Sequence, residues 1–128
     1  EPCYEQFVRL AQETQTRTGI PISIACDSAQ KFNALPVALR CYLYNALMEG
    51  VTNGIRHGRA TRFDCTLLLS QGQLCFRLHN DGLGFADIRY GYGLTKIEND
   101  ARCLRGTLEM HGDDGCDMCI RLPVECCV

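Results

Sequence analysis

The longest periodic stretch of the chain runs over residues 35–57, where Leu39, Leu43, Ala46, Leu47 and Val51 recur at helical spacing as one apolar stripe. Pro36 stands where a first helical turn tolerates proline. A stripe that long has to be covered, so the rest of the chain must supply a second layer. Residues 20–26 alternate with period two, and Pro21 marks a strand start or a sheet edge. Residues 62–70 and 73–79 also read as strands, joined by Gln71-Gly72, a two-residue hairpin signal. Residues 107–111 and 116–124 form a second such pair across residues 112–115. Helical spacing returns in residues 4–17, through Phe7, Val8, Leu10 and Ala11, with Thr18-Gly19 as the stop. It returns again in residues 94–104, through Leu94, Ile97, Ala101 and Leu104, with Arg105-Gly106 as the stop. The order helix, strand, helix, two strands, helix, two strands predicts an α+β chain with a mixed, mostly antiparallel sheet and helices on one face.

No repeat or linker divides this series. The 128 residues, 46% of them apolar and 22% charged, suffice to bury about two thirds of the unfolded surface, so residues 1–128 read as one domain that needs no metal or disulfide to fold. Thirteen Lys and Arg against fifteen Asp and Glu, a net charge of −2, leave no basic excess for a nucleic-acid backbone. No stretch reaches the roughly 20 apolar residues of a membrane span. Because the sequence opens on Glu1 rather than Met, it is expected to be a piece of a longer or processed protein. Ten cysteines are the unusual number. Most lie in apolar runs, as Cys41, Cys65 and Cys75 do, where a free thiol serves as a small buried hydrophobe. Disulfides, or a metal site built from Cys116 and Cys119 with Cys126 and Cys127, are the alternatives.

Two constellations carry possible chemistry. Within residues 48–58 (MEGVTNGIRHG), helical spacing places Glu49, Asn53, Arg56 and His57 on adjoining parts of one face. A carboxylate can orient or deprotonate a nucleophile, an amide oxygen can reach Mg²⁺ without adding charge, and two cations can meet phosphate oxygens. Gly50, Gly54 and Gly58 weaken that helix by roughly 1 kcal/mol each against alanine, and their spacing lets a backbone or ligand come close. The second constellation is glycine-rich, from Asn80 through Gly82, Gly84, Gly91 and Gly93. It opens onto a helix whose N-terminal N–H groups attract phosphate. A solvated helix face and a structural connector are the bland readings of the two.

Taken together and in this order, residues 49–57 (EGVTNGIRH), 80–85 (NDGLGF) and 91–94 (GYGL) resemble the N box and the two glycine boxes of the ATP-binding catalytic domain of two-component sensor histidine kinases. That domain is shared with the gyrase, heat-shock chaperone and mismatch-repair ATPases. Residues 104–110 (LRGTLEM) are similar to the strand entry that follows, and the resemblance covers essentially the whole chain. It implies a two-layer α/β sandwich of the Bergerat type that uses ATP and Mg²⁺. By position, it implies that Asn53 coordinates Mg²⁺ and that Glu49 helps activate the attacking group. Arg56 and His57 would lie near the phosphates or ribose, and Gly91, Gly93 and Leu94 would support the triphosphate. Asn80, Asp81, Gly82 and Gly84 would form the base-binding box.

The sequence departs from the family's pattern at Asn80, where an Asp usually accepts the adenine amino group. Asp81 is adjacent, but in a strand it would point to the opposite side. Only residues 85–90 separate the glycine boxes, so the expected ATP lid is short. None of His57, His79 and His111 sits on a separate exposed helix as a phosphoacceptor would. The resemblance therefore implies a histidine-bearing dimerisation domain outside this chain, a downstream response regulator, and a cytoplasmic domain of a dimeric, membrane-associated parent in a bacterial inner membrane. A stand-alone serine kinase of the anti-sigma-factor type and a non-catalytic interaction module remain the other readings.

Overall fold

The computed structural model describes residues 3–83 and 91–124. Nine elements follow one another: α1 (Tyr4–Thr18), β1 (Ile22–Cys26), α2 (Ala29–Asn33), α3 (Val37–Arg56), β2 (Phe63–Ser70), β3 (Gln73–Asn80), α4 (Tyr92–Cys103), β4 (Thr107–His111) and β5 (Cys116–Pro123). The sheet order is β1-β2-β3-β5-β4. All its neighbours run antiparallel except β1 and β2, which are parallel. A parallel pair needs a long crossover, and α2 with α3 supplies it. The turn between β2 and β3 has positive φ at both Gln71 (54°) and Gly72 (74°), the twist that suits a two-residue hairpin. β1 begins directly after Pro21 and lies at the sheet edge.

Burial alternates strictly along the strands. Phe63, Leu67, Leu74, Phe76, Leu78, Ile120 and Leu122 form the inner face, and the whole predicted stripe of α3 (Leu39, Leu43, Ala46, Leu47, Val51) is buried against it. The outer face carries Asp64, Arg77, Asp117 and Arg121, with Arg77 and His79 both 2.9 Å from the Asp117 carboxylate. The result is two layers with the helices on one face.

Glycines set how closely α3 rides on the sheet. A Cβ at Gly50 would overlap the Leu78 side chain, and one at Gly54 would stand 2.6 Å from the Phe63 ring. The weak helix formers read from the sequence are therefore where α3 and the sheet need the least side chain between them.

Two expectations change. The helix α2 was not foreseen: at five residues it is too short for a periodic pattern, although Ser28 caps it by accepting the Lys31 N–H (3.1 Å) and Phe32 is fully buried. The cysteines are less buried than their apolar neighbours suggest. All eight described ones are free, and of these only Cys65 is buried, its thiol pushed up to about 12 by desolvation. Strand alternation turns Cys75 and Cys119 to the outer face. It also sends Cys116 and Cys119 to opposite faces of β5, so that pair cannot hold one metal ion. Cys126 and Cys127 lie outside the described residues.

Candidate functional site

A cavity of about 520 Å³ opens between α3, the neighbouring ends of β3 and β5, and the start of α4. Its volume suits a drug-sized or nucleotide-sized ligand. Register brings its walls together: Asn80, the last residue of β3, pairs with Phe63 on one side and Cys116 on the other. Tyr42 ties α4 to α3 by donating its buried hydroxyl to the Ile97 carbonyl (2.9 Å), and burial raises that phenol's pKa.

Three side chains enter from successive turns of α3 and its C-cap: Glu49, Asn53 and, at the mouth, His57. The Asn53 Nδ2 donates to Glu49 Oε2 at 2.8 Å, which fixes the amide and leaves its Oδ1 without a protein partner among the described residues. That free neutral oxygen beside a carboxylate is the donor set a hard cation such as Mg²⁺ takes, with most of its shell left for water and phosphate. Arg56 is solvent-exposed and does not line the cavity, so the expected basic pair is reduced to His57.

Opposite, Gly91 is the N-cap of α4 and makes no side-chain cap, so the first N–H groups of the helix meet no competing acceptor from the N-cap. Gly91, Gly93 and Leu94 all line the cavity. A Cβ at Gly93 would overlap the Glu49 carboxylate, so glycine at this position is what lets Glu49 lie against the first turn of α4.

The 80–85 box divides. Asn80 lines the cavity at 6% exposure, and its Oδ1 accepts the Gly82 N–H at 2.9 Å. Asp81 faces away, as strand alternation predicts. Its Oδ1 accepts the N–H groups of Thr61 (2.8 Å) and Arg62 (3.1 Å), and its Oδ2 accepts the Thr61 hydroxyl, so it anchors the loop before β2 instead of meeting a ligand. Gly82 also serves packing: a Cβ there would overlap the Gly58 carbonyl, and the neighbouring Leu83 N–H donates to that same oxygen at 2.6 Å. Gly84 and the lid segment lie outside the described residues.

The bonds to Asp81 hold its carboxyl below the ordinary carboxylate range, the Thr61 hydroxyl contributing most. A depressed folded-state pKa adds stability above the unfolded value that is lost as pH falls through the folded one. Asp81→Asn should therefore flatten the acid limb of the stability curve below about pH 4, measured by denaturant unfolding across pH, while nucleotide affinity stays unchanged.

The apolar part of the cavity was not legible as a site. Leu78, Leu83, Met110, Met118 and Cys116 line it, with Tyr92 at 88% exposure on the rim. The strand residues among them share their parity with the core, so in the sequence they read as core.

No family model matches the chain. It is similar to the sensor histidine kinase ComP of Bacillus subtilis, 24% identical over 79% of this chain and 14% of the relative. It is similar also to sensor histidine kinase YxjM of the same organism, 25% identical over 77% of this chain and 24% of the relative. The chain thus spans about a seventh to a quarter of these proteins. Among solved structures, the blue-light activated histidine kinase of Erythrobacter litoralis EL346 superposes with a TM-score of 0.77 at 19% identity, over 97% of this chain and 46% of that one.

Proposed function

We propose that this chain, whose fold is that of histidine kinase catalytic domains, binds ATP with Mg²⁺ and positions the γ-phosphoryl group for transfer to a histidine on a dimerisation helix elsewhere in its parent protein. The relatives' names and the shared fold support the kinase reading. The observation that carries it to these residues is Asn53, locked to Glu49 with its oxygen free, facing an uncapped helix N-terminus across one cavity.

Positioning and charge neutralisation are most of what phosphoryl transfer requires of a protein. The apolar wall of Leu78, Met110 and Met118 takes the flat base. The start of α4 receives the phosphates through Gly91 and Gly93, and His57 stands at the mouth where a phosphate or ribose oxygen would emerge. Mg²⁺, when bound through the Asn53 oxygen, neutralises phosphate charge. Glu49 holds the Asn53 amide in place and keeps its second oxygen available to orient the attacking group. The response regulator, the dimeric state and the bacterial inner membrane belong to the parent protein in this reading.

The chain incubated with γ-labelled ATP and Mg²⁺ should take up no label by itself and should label the histidine-bearing helix of its parent when that helix is supplied. Asn53→Ala should lower the transfer rate at least about a hundredfold. Label on the chain alone, or transfer that survives the substitution, would overturn the assignment.

A further inference from the structure

We infer that the sulfur atoms of Cys116, Met118 and Met110 form a binding site for a soft monovalent cation of the copper(I) class in the strand wall of the cavity. All three residues line that cavity. Register places them together: Met110 of β4 stands directly opposite Met118 of β5, and Cys116 lies two residues before Met118 on the same face. Same-face neighbours on a strand are roughly 7 Å apart at the backbone, a span that a thiol and a flexible thioether can close around one ion. The Met118 side chain extends from the sheet to α3, its methyl carbon 3.4 Å from where a Cβ on Gly50 would stand.

The donor chemistry selects the ion. Thiolate and thioether sulfurs suit copper(I), whereas Mg²⁺ takes oxygen ligands and zinc takes thiolates and imidazoles, usually four together. Among the described residues no group of three His, Cys, Asp or Glu could hold a metal ion, so this wall offers zinc no rival set. The carboxylate and amide of the cavity, Glu49 and Asn53, come from α3 and the sulfurs from β4 and β5, so the hard and soft donors stand on different elements. Charge agrees with this choice. Binding forms a sulfur–copper bond and sends the Cys116 proton to solvent, so Cu⁺ replaces H⁺ and the wall stays neutral. A divalent ion would leave a net positive charge beside Leu78, which an apolar wall disfavours. In the nucleotide-binding reading that wall takes the base, so copper(I) and nucleotide exclude one another; this exclusion, unlike the site itself, rests on that reading.

The chain has three methionines, and the third, Met48, lies on α3 and does not line this cavity, so the methionine methyl resonances carry their own control. The experiment is an anaerobic titration of the methyl-labelled chain with copper(I) supplied as its acetonitrile complex. The Met110 and Met118 methyl signals should shift together and saturate while Met48 stays in place. Cys116→Ser should abolish the paired shift, and Met110→Leu, which nearly conserves volume, should weaken binding about tenfold or more. The copper-loaded chain should no longer bind a nonhydrolysable ATP analogue with Mg²⁺. Met110 and Met118 signals unmoved at saturating copper(I), or a paired shift that survives in Cys116→Ser, would overturn the site. The wild-type titration decides the matter even where a variant fails to fold. Nucleotide affinity unchanged by bound copper(I) would overturn the exclusion alone. Copper(I) binding by a chain that takes no nucleotide would support the site and overturn the nucleotide reading.

Discussion

Gly93→Ala is expected to lower triphosphate affinity at least about tenfold while leaving the melting temperature equal to that of the wild type or slightly above it. The reason is local. The added Cβ would overlap the Glu49 carboxylate, and the carboxylate, the free end of a flexible side chain, can swing away without moving the core. When it moves, the 2.8 Å bond that fixes the Asn53 amide is lost, and with it the orientation of the oxygen offered to the cation. Alanine itself suits a helix better than glycine by up to about 1 kcal/mol, so the fold has no reason to weaken. Calorimetry and thermal unfolding on the same sample check both halves. Unchanged affinity would mean that Glu49 does not order the site.

Phe63→Ala should cost about 3–5 kcal/mol, a large share of the roughly 6–19 kcal/mol expected for a chain of this length. The Phe63 ring is fully buried and packs where α3 passes over the sheet at Gly54. Gly54→Ala alone forces a methyl group to within 2.6 Å of that rigid ring and should cost about 1–3 kcal/mol, less the gain in helix propensity. The two sites occupy one volume. In the double variant the new methyl group enters space the ring has left, so the combined loss should fall short of the sum by about 1 kcal/mol or more. Denaturant unfolding of the four proteins gives the coupling directly, and simple additivity would show that α3 does not ride on Phe63 as described.

The elements were legible wherever a long periodic pattern met a two-layer fold. The α3 stripe and the strict alternation of β2, β3 and β5 each have only one way to bury their apolar faces. Strand partners were less legible, because alternation says which side chains point inward and not which neighbour lies alongside. The parallel pairing of β1 with β2 follows from the crossover through α2 and α3, and α2 itself is too short to print a period. In the site, Glu49, Asn53 and His57 could be read from helical spacing, and the alternation that separates Asn80 from Asp81 was readable as well. The exposure of Arg56 and the capping use of Asp81 depend on tertiary neighbours. The apolar wall could not be read, since a base-binding surface and a core are made of the same residues on the same side of a strand.

We propose that Glu49, Asn53, Asn80 and the start of α4 form one Mg²⁺-nucleotide site. It is tested most directly by following backbone and side-chain amide resonances while a nonhydrolysable triphosphate is added with and without Mg²⁺. Saturable shifts are expected at Asn80 and Gly93 with nucleotide, and at the Asn53 side-chain amide only when Mg²⁺ is present. Saturation with these three positions unmoved would contradict it.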